Sequence, residues 1–358
     1  MSLELRDVSV DDVLHNISLY VHDGEVMALV GPSGSGKTTL LNVISGFAQL
    51  SEGGVLVDDA HITDIPVQRR PVGMMLERPA LFDMSVRANI EFALDDARQS
   101  PRQRHDLATI AMSSLNILGL ADHHAPSLSA GQRQRVAFAR TFVRRPRAVL
   151  LDEPLGHIEA SVRADIHAEL LNQTHRLGLA VLYVTHDIAD ACAVADRITV
   201  LEEGAVVQVG TPEELFFCPV SPSVARLMGV PNILTQPQAR LILEPSVLTL
   251  DSPQFSHAAH DLDVHGKTGD GRGIQVVIAP SRINLRSAHS TNVVGSVGQV
   301  IRCTFARSHY EIDLETEVGT LVAWVPQPYR VGDYCEFSVT HAWQCVEEIP
   351  QANPAAKL

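Results

Sequence analysis

Residues Ala28-Leu-Val-Gly-Pro-Ser-Gly-Ser-Gly-Lys-Thr-Thr39 decide the fold of this 358-residue chain. The stretch fits the phosphate-loop pattern G-x-x-x-x-G-K-[ST]. The apolar run Val26–Val30 before it predicts a buried strand, and an apolar helical spacing after it predicts a helix, through Leu40, Leu41, Val43 and Ile44. A strand, loop and helix in this order direct backbone N–H groups and a helix N-terminus at one phosphate chain.

We predict that this loop binds the phosphates of ATP through Gly31, Pro32, Ser33, Gly34, Ser35, Gly36, Lys37, Thr38 and Thr39. Lys37 would reach the β- and γ-phosphates, and the Thr38 hydroxyl would bind Mg²⁺. Lys37 is also the only lysine before Lys267, in a chain that otherwise uses arginine. The alternative is a glycine- and serine-rich turn that matches by chance, which would require strand, spacing and helix to coincide.

Two further apolar runs end in polar residues suited to catalysis. Ala148–Pro154 predicts a buried parallel strand with Asp152 and Glu153 at its carboxyl end, where α/β sheets place their chemistry. Asp152 would bind Mg²⁺ through its water shell, and Glu153 would orient and deprotonate the attacking water. Ala180–His186 predicts a third buried strand, and His186 is a candidate for contacting the γ-phosphate. The alternatives are an acidic turn and an ordinary histidine at a strand end.

Composition limits the classes of partner. The formal net charge is −14, which argues against a nucleic-acid partner and against adhesion to an anionic membrane surface. The five cysteines are scattered and contain no C-x-x-C pair, which indicates reduced thiols in a cytoplasmic protein. No signal peptide is recognisable at the N-terminus. No run approaches the roughly 18 apolar residues of a membrane span, so work at a membrane would require a partner.

The remaining patterns predict two domains. Weak alternation over 3–23 indicates antiparallel strands, and the helical period of 86–120 indicates a helical insertion, followed by a basic helix at Arg133–Arg145. Prolines from Pro219 onward place a boundary near residue 235. Beyond it, short alternating strands indicate a small β-barrel. We therefore predict an α/β domain over 1–235, with a helical subdomain at about 86–145, and an all-β domain over 236–358.

This combination of motifs resembles the ATP-binding subunits of ABC transporters, within them the importers of sugars, polyamines, sulfate and iron. The matching segments are Gly31–Thr38, Arg70–Gly73, Leu128-Ser-Ala-Gly-Gln132, Asp152–Glu153, His186 and Gly210–Leu215. The resemblance implies a P-loop NTPase fold, a C-terminal OB-like barrel, and an ATPase that uses ATP and Mg²⁺. It also implies a head-to-tail homodimer, in which the phosphate loop of one copy and Ser129, Gly131 and Gln132 of the other enclose each ATP.

The resemblance further implies integral membrane permease subunits as partners, and through them an extracytoplasmic solute-binding protein. The chain would then be peripheral on the cytoplasmic face of the inner or plasma membrane. The C-terminal domain would bind regulators or steady the dimer. Two alternatives stay open: a non-transport ABC ATPase, such as a translation or repair factor, and a regulatory clamp that binds ATP with weak hydrolysis. A simple P-loop kinase would leave the signature segment, Leu128-Ser-Ala-Gly-Gln132, and His186 unexplained.

Several positions depart from the family pattern. Glu77 stands where the family usually has a glutamine; it would still offer oxygen to Mg²⁺ and join the catalytic group, but it adds negative charge. Glu159 replaces the usual aspartate, so we expect both changes to affect the hydrolysis rate. No aromatic residue precedes Tyr20, so an aliphatic or histidine side chain would have to contact adenine, from Val10, Val13 or His15. We interpret the cluster His257, His260, Asp261, Asp263 and His265 as a solvated polar loop, with a metal site as the alternative.

Overall fold

The computed structural model describes residues 2–94, 99–156, 160–243, 247–249, 274–287 and 296–346. The chain forms two compact units, Met1–Val206 and Val207–Leu358. The domain boundary near residue 235 stays a prediction. Glu159 and the histidine and aspartate cluster from His257 to His265 lie outside the described residues.

The first unit combines an antiparallel sheet, a parallel sheet and helices. Its strands are β1 (Leu3–Val10), β2 (Leu14–Val21), β3 (Val26–Val30), β4 (Glu52–Val57), β5 (Ala60–His61), β6 (Val72–Met75), β7 (Ala148–Asp152), β8 (Ala180–Val184), β9 (Arg197–Glu202) and β10 (Ala205–Gly210), the last of which contains the division between the units. Its helices are α1 (Lys37–Ser45), α2 (Val86–Ala93), α3 (Pro101–Ser114), α4 (Ala130–Phe142), α5 (Ala160–Leu177) and α6 (Ile188–Val194). In the described residues, no helix is both long and apolar enough to span a membrane.

The larger sheet has the strand order β10-β9-β3-β8-β7-β6. Its inner strands β3, β8 and β7 pair in parallel, and β6 and β9 also run parallel to their partners. Every residue of β3 and β8 is buried, because strands covered on both faces are apolar throughout. The three predicted buried strands are thus present as β3, β7 and β8, and the α/β P-loop fold is confirmed. The smaller sheet, in the order β2-β1-β4-β5, is antiparallel, as the alternation over 3–23 predicts.

The helical insertion contains α2, α3 and α4. The basic helix begins at Ala130, three residues before the predicted start, and ends at Phe142. Ser129 is its N-cap: the Ser129 hydroxyl accepts from the backbone N–H of Gln132, and the Gln132 side chain accepts from the N–H of Ser129. This reciprocal capping box explains the earlier start, because it satisfies two helix-end donors without any apolar periodicity.

The second unit is a small domain built mainly of strands, as predicted. Its elements are α7 (Pro212–Phe217), α8 (Pro222–Leu227), β11 (Asn232–Thr235), α9 (Gln236–Ile242), β12 (Leu248–Thr249), β13 (Ile274–Ile278), β14 (Ile283–Ser287), β15 (Ser296–Ala306), β16 (His309–Thr316), β17 (Gly319–Val325), β18 (Tyr334–Val339) and β19 (Ala342–Val346). They form two sheets, β11-β13-β19-β12 and β14-β18-β15-β16-β17. Mostly aliphatic side chains from both sheets fill the core. Trp324 and Trp343 are half-buried beside it.

A buried amide joins the two sheets of the second unit. Asn232 in β11 is 1% exposed. Its Nδ2 donates to the carbonyl of Ile278 in the same sheet (3.1 Å) and to that of Val322 in β17 (2.8 Å). Its Oδ1 accepts from the N–H of Val322 (2.7 Å). Because these backbone groups are buried or partly buried, Asn232 is an important partner for them.

We therefore expect Asn232→Ala to lower the free energy of unfolding of the second unit by about 2–4 kcal/mol, since buried backbone groups would lose their partners. Tryptophan fluorescence during urea unfolding measures this directly, because both tryptophans of the chain, Trp324 and Trp343, lie in this unit. Asn284→Ala, at an exposed position in β14, is the matched control and should leave the midpoint unchanged. Equal midpoints for the two variants would contradict the bridging role of Asn232.

Candidate active site

The predicted catalytic residues meet at the carboxyl edge of the parallel sheet. The phosphate loop follows β3, Asp152 ends β7 and Glu153 comes next. His186 lies two residues after β8, and Glu77 lies two residues after β6. Because these strands are parallel and lie side by side in the order β3-β8-β7-β6, their carboxyl ends share one edge, where α/β sheets bind ligands.

Two glycines of the loop are required by close contacts. A Cβ at Gly31 would lie 2.0 Å from the carbonyl oxygen of Leu201. A Cβ at Gly36 would lie 2.5 Å from Leu14 Cδ2, and the φ of Gly36 is 103°, in the left-handed region that favours glycine. Gly36 is also the N-cap of α1, so the loop leads directly into the helix N-terminus. The sequence pattern and the backbone geometry therefore agree.

Lys37 is held across this loop by its ammonium group. Its Nζ donates to the carbonyls of Gly31 (2.9 Å) and Pro32 (2.8 Å), and it lies 3.4 Å from the hydroxyl of buried Ser35. Burial lowers the pKa of Lys37, while the charges of Glu153 and Asp152 act to raise it. The ammonium thus lies in the field of the carboxylates at the end of β7.

The carboxylates at this edge repel one another. Burial raises the pKa of Asp152, and the charges of Glu153 and Glu77 raise it further, whereas Lys37 acts to lower it. Glu77 is exposed, yet its charge acts on Asp152. Glu77, which departs from the family pattern, therefore acts electrostatically on the site. A further positive charge beside Asp152 would relieve this repulsion.

Glu153 and His186 lie in close contact. His186 Nδ1 lies 2.8 Å from Glu153 Oε2. Glu153 has a φ of 43°, unusual for a residue with a side chain, and its N–H donates to the carbonyl of Val184 (2.9 Å). This turn at the end of β7 brings the glutamate to the segment that follows β8. The sequence predicts both residues at this edge but not their contact with each other.

The signature segment, Leu128–Gln132, spans the start of α4. Ser129 is exposed, and its hydrogen bonds with Gln132 stay within the start of α4. Gly131 occupies the first turn of the same helix. In the described part of the chain, no hydrogen bond joins Ser129, Gly131 or Gln132 to the phosphate loop.

Comparison with known proteins decides the family. Residues 14–156 match the family model described as ABC transporter. The chain is 33% identical over 336 residues to the spermidine/putrescine import ATP-binding protein PotA of Clostridium acetobutylicum, covering 92% of each protein. It is 32% identical over 307 residues to the Fe(3+) ions import ATP-binding protein FbpC of Rhizobium etli, covering 86% of this chain and 84% of FbpC.

This chain belongs to the ABC transporter family. Among solved structures it resembles cbiO1 of Clostridium perfringens, part of the ABC transporter complex cbiONQ, with a TM-score of 0.56 and 28% identity. That match covers 60% of this chain and 90% of cbiO1. The prediction of an ATP-binding ATPase subunit of this family is confirmed.

The ABC site contains donors that fit a divalent cation. The Thr38 hydroxyl and the carboxylates of Asp152 and Glu77 are hard oxygen ligands, and Mg²⁺ prefers such ligands. In the residues that the structure describes, no three His, Cys, Asp or Glu side chains are placed to hold a metal ion together. The fit is therefore to an ion that takes further oxygens from bound phosphates, as Mg²⁺ commonly does.

Arg70 stabilises the C-terminal end of α1, the helix that carries Lys37. The sequence did not predict this role. The sequence marks it only as part of a matching segment. Its Nη1 donates to the last-turn carbonyls of Val43 and Ile44 in α1 (both 2.8 Å), and its Nε donates to the carbonyl of Ile65 (2.9 Å). A Cβ at Gly46, the C-cap of α1, would lie 2.7 Å from Arg70 Nε. Lys37 lies at the N-terminus of α1, and Arg70 therefore caps the C-terminus of the same helix.

We expect Arg70→Ala to lower the unfolding free energy of the first unit by about 2 kcal/mol or more, because several carbonyls would lose a charged donor at once. Amide hydrogen exchange of α1 measures the effect locally. Arg70→Lys should recover only part of the loss, since one ammonium cannot replace the guanidinium fork. The control is Arg69→Ala at the exposed neighbouring position; equal exchange rates for the two alanine variants would contradict this role.

Proposed function

We propose that this chain hydrolyses ATP as the nucleotide-binding subunit of a solute importer and that two copies close head to tail on ATP. The observation that carries the proposal is the placement of Lys37 and the Glu153–His186 pair at one sheet edge. Lys37 acts electrostatically with Glu153 and Asp152, and His186 is 2.8 Å from Glu153. A phosphate-binding cation and a general base are thus adjacent.

In this proposal the loop backbone and Lys37 bind the phosphates, and the α1 N-terminus favours their negative charge. Thr38, Asp152 and Glu77 would hold Mg²⁺, which would supply charge neutralisation at the phosphates. His186 Nδ1 lies 2.8 Å from Glu153 Oε2 and would orient the carboxylate. Glu153 Oε1 is then the oxygen that accepts a proton from the attacking water.

The second copy would complete each site with its α4 N-terminus. Ser129 is exposed at the start of a 13-residue helix. Its capping box occupies the hydroxyl and the Gln132 side chain, while Ala130 and Gly131 leave room for close approach. A γ-phosphate bound by Lys37 of one copy would thus meet a helix N-terminus of the other.

Adenine would be held by a small side chain instead of an aromatic ring. The turn before β2 lies beside the phosphate loop: a Cβ on Gly36 would approach the Val13 carbonyl to 3.3 Å. Val13 and His15 are both exposed there, and His15 donates its N–H to the carbonyl of Gly204 (2.8 Å). We favour Val13 as the adenine contact, because its side chain is exposed and its carbonyl lies next to Gly36 of the phosphate loop.

The permease partner would dock beside α2. Phe82 and Phe92 are 47% and 54% exposed, and their ring centroids are 4.7 Å apart. Asn89, fully buried, holds this loop by accepting from the N–H of Phe82 and donating to its carbonyl. An exposed aromatic pair on a fixed loop is suited to an apolar partner element. The chain would then act at the cytoplasmic face of the membrane, with a solute-binding protein reached through the permease.

The importer is favoured over the alternatives by the relatives. PotA and FbpC are named as import ATP-binding proteins, and each match extends well beyond the ATP-binding motifs. A translation or repair factor would not be expected to match import subunits over this length. The regulatory clamp is disfavoured because Glu153 Oε2 and His186 Nδ1 already lie 2.8 Å apart at this edge.

Glu153→Gln tests the proposal most directly. We expect phosphate release to fall by about 10²-fold or more, because general bases contribute about 10²–10⁴-fold, while ATP still binds. The measurements are phosphate release with Mg²⁺ and ATP, retained nucleotide, and dimer formation by size-exclusion chromatography. Glu52→Gln, at an exposed position in β4, should behave as the parent. A Glu153→Gln variant that hydrolyses ATP at the parent rate would refute the assignment of the base.

Glu77→Gln should raise the steady-state rate by about three- to tenfold, about 0.7–1.4 kcal/mol. The physical reason is the removal of one negative charge that acts on Asp152. The rate is measured at saturating ATP and Mg²⁺ in the assembled transporter, with parent and variant side by side. An unchanged or lower rate would mean that the carboxylate is not what limits hydrolysis.

A further inference from the structure

A polar cluster lies where the first turns of α5 and α6 meet. Arg163, in the first turn of α5, uses one nitrogen for two contacts. Its Nη1 donates to Asp187 Oδ2 (3.1 Å) and to Asp190 Oδ1 (3.0 Å). Both acids belong to the start of α6: Asp187 is its N-cap, and Asp190 lies in its first turn.

Asp187 is fixed from several directions. Its N–H donates to the Thr185 hydroxyl (3.0 Å), and its Oδ1 accepts from the N–H groups of Ala189 (2.9 Å) and Asp190 (3.3 Å). Arg163 occupies the other carboxylate oxygen. The backbone of His186, between Thr185 and Asp187, is therefore held on both sides.

This backbone matters because packing does little to hold the His186 ring. The His186 side chain is 68% exposed, although its Nδ1 must stay within 2.8 Å of Glu153 Oε2. An exposed side chain that is not packed can leave such a contact by rotation or by small backbone movement. The residues that fix the backbone on either side of His186 therefore determine how often the contact with Glu153 is made.

Arg163 is the cation that this cluster requires. The Asp190 side chain is 7% exposed, so its charge needs a partner. His167 Nε2 lies 3.8 Å from Asp190, but burial lowers the pKa of His167, which keeps it neutral near pH 7. Burial raises the pKa of Tyr183, which faces the same group, so it is also neutral. A cation in the first turn of α5 interacts unfavourably with the helix dipole. The acidic partners Asp187 and Asp190 therefore account for an arginine at this position.

We propose that Arg163 is a positioning residue for ATP hydrolysis: it holds Asp187, so that the peptide of His186 keeps its ring in contact with Glu153. This inference rests on the proposed function. In the described residues, no hydrogen bond joins Arg163 to the phosphate loop, to Asp152 or to Glu153. It acts by restricting the segment that carries His186.

The first test separates turnover from binding in the full-length chain. Arg163→Ala should lower kcat about tenfold or more, since displacements near 1 Å in a catalytic contact can cost about 10²-fold. The KM for ATP should stay within about twofold, because Lys37 and its loop contacts are unchanged. Arg163→Lys should recover most of kcat, as one ammonium can take the place of one Nη1. Arg176→Ala is the matched control, because Arg176 is on the same helix and donates only to Gln173 there.

A double variant separates positioning from folding. Arg163→Ala leaves Asp190 buried without its cation, which destabilises α6 by itself. Adding Asp190→Asn removes that charge, so the double variant should regain the parent melting temperature but not the parent kcat. Recovery of both would assign Arg163 a purely structural role and overturn the proposal.

A second readout does not depend on turnover. Without nucleotide, the amides of Ala189 and Asp190 should exchange faster in Arg163→Ala than in the parent, while those of α1 should not change. Four outcomes would each overturn the proposal. In Arg163→Ala these are amide exchange equal to that of the parent, an unchanged kcat, or a KM that rises as kcat falls. The fourth is an equal loss of kcat in Arg176→Ala. A parent chain that releases no phosphate would refute the proposed function instead, and the exchange rates would still decide whether Arg163 holds Asp187.

Discussion

The arrangement of charge around Lys37 is the constraint on which the rest of the site depends. A single ammonium, whose pKa burial lowers, interacts with both Asp152 and Glu153, and Asp152 is acted on in turn by Glu77. Negative charge thus exceeds positive charge at this edge. A bound polyphosphate alone would worsen that excess. A divalent cation bound with the polyphosphate would offset part of this added charge, and the oxygens of Thr38, Asp152 and Glu77 would suit such a cation.

The parallel sheet places these charged residues at one edge. Neighbouring strands β6, β7, β8 and β3 each end at the same edge, and each contributes one functional segment. The turn at Glu153 then departs from ordinary backbone geometry, with a φ of 43°. Such a conformation costs about 1–3 kcal/mol and persists only where the surroundings fix it. Here the N–H of Glu153 donates to the carbonyl of Val184, and its Oε2 lies 2.8 Å from His186 Nδ1, so contacts with β8 and the segment after it fix this turn.

Much of this could be predicted from the sequence, and the reasons are local. Buried parallel strands are continuous apolar runs, so Val26–Val30 and Ala180–Val184 are recognisable without knowledge of their partners. The phosphate loop is recognisable because its glycines and lysine have fixed spacing. The start of α4 was misplaced by three residues, because Ala130, Gly131 and Gln132 have no apolar periodicity; the capping box of Ser129 and Gln132 was the signal that could have found it.

The residues that were missed act over long sequence separations. Asn232 bonds to Val322, and Arg70 bonds to Val43 and Ile44. Polar contacts of this kind follow from the tertiary fold and leave no period or spacing in the chain. Arg163 is a partial exception: a cation in the first turn of a helix is unfavourable there, so its presence already indicates an acidic partner elsewhere.

The choice between arginine and lysine follows from what each position must do. Arg70 reaches several fixed carbonyls with a planar fork, which holds a helix end in one geometry. Arg163 contacts two fixed carboxylates through a single nitrogen, so that position does not depend on the guanidinium fork. Lys37 instead rests on two carbonyls and a hydroxyl, which phosphate oxygens can replace with little rearrangement, since an ammonium is a compact charge on a flexible stem. A guanidinium at position 37 would lock the loop, whereas the ammonium can exchange partners. That difference gives a physical reason why a chain rich in arginine places its only lysine before Lys267 at the phosphate loop.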